Sequence, residues 1–96
     1  PVGSVLKHME KDRYDLVFTM AVLEHIHPDS EWIFNHIARI TKSYLITLEA
    51  ETDEHWRIFP RNYRDIFEGL GFKQVEQSTG ESIKLPKYTL RIFKKK

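Results

Sequence analysis

No cysteine occurs in the 96 residues. That excludes disulfide staples, thiolate nucleophiles and cysteine-ligated metal centres, and it fits a reducing compartment. No apolar run approaches the roughly 18–20 residues of a membrane-spanning helix. No secretory leader is visible either, so the expected address is the cytoplasm, with no membrane partner. Excess charge of one sign is also missing: 15 basic and 14 acidic residues leave a formal charge of +1. Such a balance gives no electrostatic reason to expect nucleic acid or an anionic surface as partner. Glycine is scarce, with four in the chain. None of them forms a phosphate-cradling turn, because Gly69-Leu-Gly71 follows a predicted helix instead of opening one. Repeats and low-complexity segments are absent.

What is present belongs to a folded protein. Hydrophobic residues make up 41% and charged residues 30% of the chain, the balance of a globular domain and not of a disordered one. The length allows one domain at most, residues 1–96, with a modest core. The sequence opens at Pro1, almost inside an element, so the expectation is a partial domain belonging to something longer.

The organising stretch is Asp15-Leu-Val-Phe-Thr-Met-Ala-Val-Leu-Glu-His-Ile-His27. Leu16–Thr19 is short, apolar on both alternating faces and rich in strand formers. It therefore predicts a central strand, Asp15–Thr19, covered on both sides as in parallel sheets. Past Thr19 the character changes to a mixture carrying Glu24, His25 and His27. Open α/β sheets place their ligands just beyond the carboxyl ends of such strands.

Upstream, Val2–Leu6 reads as a short β piece and Lys7–Arg13 as a loop or single turn. Downstream, His27-Pro-Asp-Ser-Glu31 carries helix-start chemistry, with Pro28 in the first turn and Asp29 or Ser30 as caps. The helix, about Ser30–Thr41, sets Ile33, Ile37 and Ile40 on one face, widened by Phe34, with His36 and Arg39 outside it. Ser43–Glu49 is the next strand, parallel to the first across the helix. Ala50–Phe59 is a loop. Pro60 and Asn62 introduce a second helix with Tyr63, Ile66, Phe67 and Leu70 on one face, ended by Gly71 at positive φ. Phe72–Ser78 is a more polar edge strand. Thr79–Pro86 is a loop too short for a crossover, so the final strand, Lys87–Phe93, pairs antiparallel with it. Lys94–Lys96 is a solvated tail.

Tyr14-Asp-Leu-Val-Phe-Thr-Met-Ala-Val-Leu-Glu-His-Ile26 resembles the fourth-strand motif of class I S-adenosylmethionine-dependent methyltransferases, and Tyr44-Leu-Ile-Thr-Leu-Glu49 resembles their fifth strand. The likeness runs to the C-terminus. It implies an α/β fold, the C-terminal half of a Rossmann-like methyltransferase sheet. Parallel strands with crossover helices end in a terminal antiparallel hairpin, in the family's strand order 4-5-7-6. It implies S-adenosylmethionine as cofactor and a methyl acceptor, which the absence of a basic stripe makes a small molecule. The family's Gly-rich turn after strand one and its ribose-binding acid after strand two have no counterpart, so this chain alone is expected to bind the cofactor weakly or not at all.

Carried over by position, the resemblance implies cofactor contacts at Ser4 and Val5, at Thr19, Met20 and Ala21, and at Leu23. Ser4 stands where the family commonly has Asp. Leu23 and His25 match positions that line the pocket and face the acceptor, and Glu24 joins His25 as a candidate for acid–base work on it. Glu49 and Glu51, past the end of the fifth strand, sit on the rim where an acceptor would approach, and Trp56 and Phe59 could pack over it. His25 is the candidate catalytic residue. Holding the reactants in line can supply about 7–11 kcal/mol. A general base adds roughly 10²–10⁴-fold, and only where the acceptor must lose a proton. The alternatives stay open: His25 could hydrogen-bond the following turn, and Leu23 could be core. Glu24, His25, His27 and Asp29 lack the spacing of a metal signature, and no metal is expected.

Two other functional classes compete. One is a non-catalytic α/β binding or assembly module, whose exposed fourth-strand edge could pair with a second copy. The other is an RNA-facing patch of Lys84, Lys87, Arg91 and Lys94–Lys96.

Overall fold

The apolar run after Arg13 forms strand β1, Tyr14–Met20, in a computed structural model that describes residues 13–51, 59–81 and 85–96. The expected strand at Val2–Leu6, with Ser4 and Val5, lies outside the described residues, as do Trp56 and Lys84.

Helix α1, Trp32–Ile40, leads directly into β2, Thr41–Ala50, which pairs parallel with β1 from Leu16↔Tyr44 through Met20↔Leu48. Helix α2, Tyr63–Glu68, precedes β3, Phe72–Gly80, and β4, Leu85–Lys95, is antiparallel to both β2 and β3. The sheet order is β1-β2-β4-β3. This is the predicted 4-5-7-6 arrangement, with the hairpin's last strand inserted between the second and third. The hairpin strands run further than the pattern suggested. Gly80 pairs with Leu85, so Thr79, Gly80, Leu85 and Pro86 belong to strands and not to a loop.

The helices bury one face of the sheet. Ile33, Phe34, Ile37, Ala38 and Ile40 of α1 are buried, as its apolar spacing requires. Asn62 caps α2, its side-chain oxygen accepting from the Asp65 amide at 3.1 Å, and Gly71 follows the helix at φ 98°. Phe67 sits centrally among aromatic rings, 6.0 Å from Phe34, 6.0 Å from Phe72 and 5.5 Å from Phe93 between centroids. Edge-to-face and tilted pairs of this kind add about 0.5–1.5 kcal/mol each beyond area burial.

Two terminal expectations change. The start of the first helix is a separate 3-10 turn, Pro28–Ser30, capped by His27 and not by Asp29 or Ser30: the His27 ring nitrogen Nδ1 accepts from the Asp29 amide at 3.1 Å. Lys95 is no solvated tail residue. Its ammonium donates to the Ala38 carbonyl at 2.8 Å and the Thr41 carbonyl at 2.7 Å. It thereby satisfies carbonyls at the negative end of the α1 dipole.

The largest correction concerns β1. It was expected in mid-sheet, covered on both faces. Among the described residues it forms the rim, and its outward side chains stand in solvent: Leu16 is 56%, Phe18 55% and Met20 47% exposed. Alternating residues Val17 and Thr19 face the helices. Apolarity on both faces of a strand is legible in a sequence. What lies over each face is not.

Candidate functional site

Beyond Met20 the chain makes a tight turn whose backbone is fixed at nearly every residue. Ala21 takes a left-handed conformation, φ 52°, which costs a side-chain-bearing residue about 1 kcal/mol or more. Its amide continues the parallel ladder by donating to the Leu48 carbonyl at 3.0 Å. Leu23–His25 then form a 3-10 turn.

Two buried carboxylates hold this turn against the end of β2. Glu49 accepts from the Glu24 amide through Oε1 at 3.1 Å and from the Val22 amide through Oε2 at 3.3 Å. Glu24 returns the contact, accepting from the Ala50 amide through Oε1 at 3.0 Å. Their exposures are 0% for Glu49 and 2% for Glu24. Burial pushes the Glu49 carboxyl above the usual carboxylate range, and the Glu24 charge adds to the rise. Against this, the amides of Glu24 and Val22 and the nearby Thr19 hydroxyl favour its anion. The Thr19 hydroxyl itself makes no hydrogen bond of good geometry among the described residues. Burial, followed by the Glu49 charge, pushes the Tyr63 phenol well up, so it stays protonated.

Arg61 secures the same turn from the other side. It donates to the Leu23 carbonyl at 3.2 Å, the Ile26 carbonyl at 2.6 Å and Glu31 Oε2 at 2.7 Å. Its guanidinium also lies 5.1 Å from the Phe34 ring centroid. The Phe59 amide completes the frame by donating to the Glu24 carbonyl at 2.8 Å.

The residues singled out in the sequence thus separate into three groups. Met20, Ala21 and His25 reach the surface at the end of β1. His25 keeps a half-exposed side chain with Nε2 3.6 Å from Glu24 Oε2. Leu23 is fully buried in the hydrophobic core, and Thr19 is buried on the helix side. Glu24, Glu49 and Glu51 are buried, not on a rim: Glu51 accepts two hydrogen bonds from Arg91, each 2.8 Å. That pairing, with further bonds from Arg91 to Gln74 and Gln77, also removes Arg91 from any RNA-facing patch. Arg61 carried no signal in the sequence. It precedes the helix outside the apolar stripe, and these partners lie thirty or more residues away.

No protein-family model matches the chain, and no curated protein sequence does. Solved structures match it. The 1,6-didemethyltoxoflavin-N1-methyltransferase of Burkholderia thailandensis, bound to 1,6-didemethyltoxoflavin and S-adenosylhomocysteine, superposes with a TM-score of 0.74 at 17% identity. The match covers 95% of this chain and 48% of that one. The magnesium protoporphyrin IX methyltransferase of Synechocystis, with bound S-adenosylmethionine, gives a TM-score of 0.71 at 19% identity over 95% of this chain and 43% of that one. The fold is that of S-adenosylmethionine-dependent methyltransferases. This chain spans less than half the length of either methyltransferase. No helix among the described residues is long and apolar enough to cross a membrane.

Proposed function

We propose that this chain is the C-terminal portion of an S-adenosylmethionine-dependent methyltransferase acting on a small molecule. The observation that carries the reading is the methyltransferase fold over 95% of the chain, together with a rigid turn at the carboxyl end of β1. Ligands of open α/β sheets bind at that level. The residues there fit a cofactor's edge. The backbone of Met20 and Ala21 would lie along its amino-acid end, with Thr19 behind them, and Ser4 and Val5 would meet its adenine. Leu23, inside the core, would support the pocket wall from beneath. When bound, the cofactor supplies an activated methyl group on a cationic sulfonium.

This chain's own contribution is mainly positional. A fixed turn holds its ligand in one orientation, the effect expected to dominate an in-line transfer. His25 stands at the end of the turn with a half-exposed ring, and in this reading it would contact an acceptor and take its proton where one must leave. Glu24, Glu49 and Glu51, the other acceptor-facing candidates, are engaged by backbone amides or Arg91.

The test is calorimetric titration of S-adenosylhomocysteine into the protein with its complete sheet. Saturable heat is expected, and its absence from a well-folded sample would overturn the reading. The exposed outer face of β1 favours a second reading, a non-catalytic assembly module. Tight association with a partner and no cofactor binding would select it.

A further inference from the structure

Glu24 and Glu49 are acceptor-side candidates by their place in the sequence, yet neither presents its carboxylate to solvent. Each accepts instead from the backbone of the other's segment, twenty-five or more residues away. The exchange closes the gap beyond the carboxyl ends of the two parallel strands. β1 runs to Met20 and β2 to Ala50, and the ladder has its last backbone bond at Ala21. After that bond, the amides of Val22, Glu24 and Ala50 would point at one another's strands without partners. The two carboxylates supply those partners, and a buried amide left without one costs more than the bond itself is worth.

We propose that Glu24 and Glu49 are positioning residues: a reciprocal carboxylate–amide clasp that sets the Met20–Val22 turn against the donor's amino-acid end without either side chain touching donor or acceptor. The inference rests on the methyltransferase reading and assigns it two residues.

The clasp is chemically asymmetric, and the asymmetry makes it testable. Glu49 uses both oxygens, one for each of two amides. A glutamine there keeps one acceptor and turns an NH₂ group toward an N–H, so one bond is lost and a repulsion is created. Glu24 uses Oε1 alone for the Ala50 amide, while Oε2 faces the His25 ring. A glutamine there keeps the Ala50 bond through its carbonyl oxygen and can donate to the imidazole. Groups that bound a substrate by charge would behave alike in this respect, since either glutamine removes one negative charge.

The experiment compares Glu49→Gln, Glu24→Ala and Glu24→Gln in the protein with its complete sheet, titrated with S-adenosylhomocysteine near pH 8. Amide hydrogen exchange is followed at Val22, Glu24 and Ala50. Glu49→Gln and Glu24→Ala are expected to weaken binding about 10- to 100-fold, the scale of a small misplacement of a positioning element. Glu24→Gln should recover most of what Glu24→Ala loses. Exchange should accelerate at Val22 and Glu24 in Glu49→Gln, and at Ala50 in Glu24→Ala. Equal losses in the two glutamine variants, or weakened binding with all three amides still protected, would overturn the clasp. Wild-type protein with protected amides and no binding would instead overturn the methyltransferase reading, and the positioning role with it. If the alanine variant fails to fold, the near-isosteric glutamine pair still decides between the two accounts.

Discussion

Strand β2 sends Leu45, Thr47 and Glu49 toward the helices and Tyr44, Ile46 and Leu48 the other way. The two faces of the sheet that it divides are built from similar side chains but are used differently. On the helix face, Leu45, Phe72 and Phe93 are fully buried against α1 and α2, and the carboxylates of Glu24, Glu49 and Glu51 at the carboxyl end are buried with partners. On the opposite face, Leu48 is buried, but toward the rim Leu16, Phe18, Met20 and Tyr44 stand 42–56% exposed. Exposed apolar surface of that kind is a common feature of binding faces. The packed core and the exposed apolar surface thus lie on opposite sides of one layer, with the candidate site at their shared end.

The sharpest way to break this comparison is to cut the same kind of side chain from each face. Phe67→Ala removes a fully buried ring from the centre of the aromatic cluster, and should lower stability by about 3–5 kcal/mol. Phe18→Ala removes a ring more than half exposed, and should cost within about 0.5 kcal/mol, as surface substitutions do. Urea unfolding of both variants decides it. Comparable losses would mean that the outer face is covered in solution.

A second prediction concerns what the rim does when left open. Among the described residues no strand pairs with the outer edge of β1, which lies beside the exposed apolar row, and such an edge is a template for pairing with another copy. The 1–96 chain is therefore expected to show a mass that rises with concentration in sedimentation equilibrium, and Phe18→Lys should shift it toward monomer. A wild-type monomer at every concentration would show that the edge is protected by other means.

How much of this was legible in the sequence follows from the range of the interactions involved. The element order, the stripe of α1 and the antiparallel hairpin come from local periodicity and from connection lengths, and they were readable. So was the strand order, through the family resemblance. The exposure of β1 was not, because a strand apolar on both sides looks the same whether or not a layer lies over it. The roles of Glu24, Glu49, Arg61 and Arg91 were hidden for another reason. Each is defined by partners 14 to 40 residues away, and a charged residue in a sequence reads first as solvent-facing. Lys95 misled in the same way: a run of three lysines looks like a tail, but one of them closes a helix end.

The smallest predicted effect sharpens the comparison by pH, because Glu49 titrates on the covered face and no rim residue of β1 from Leu16 to Met20 does. Its carboxyl is raised from the ordinary value of 4.5, so the folded state holds that proton more tightly than the unfolded chain. Stability contributed by the protonated form is fully present below about 4.5 and is lost as pH rises from there through the folded pKa. A glutamine at 49 cannot titrate. The stability advantage of wild type over Glu49→Gln, measured by urea unfolding from pH 4 to pH 8, should therefore shrink as pH rises, by about 1.4 kcal/mol for each unit by which the pKa is raised. Phe18→Ala should follow the wild-type pH curve at a constant offset. An advantage that grew with pH would mean that the amides of Val22 and Glu24 outweigh burial and hold Glu49 as a depressed, permanently charged group. The clasp would then be tighter than its burial suggests, and Glu49→Gln would be most damaging at neutral pH.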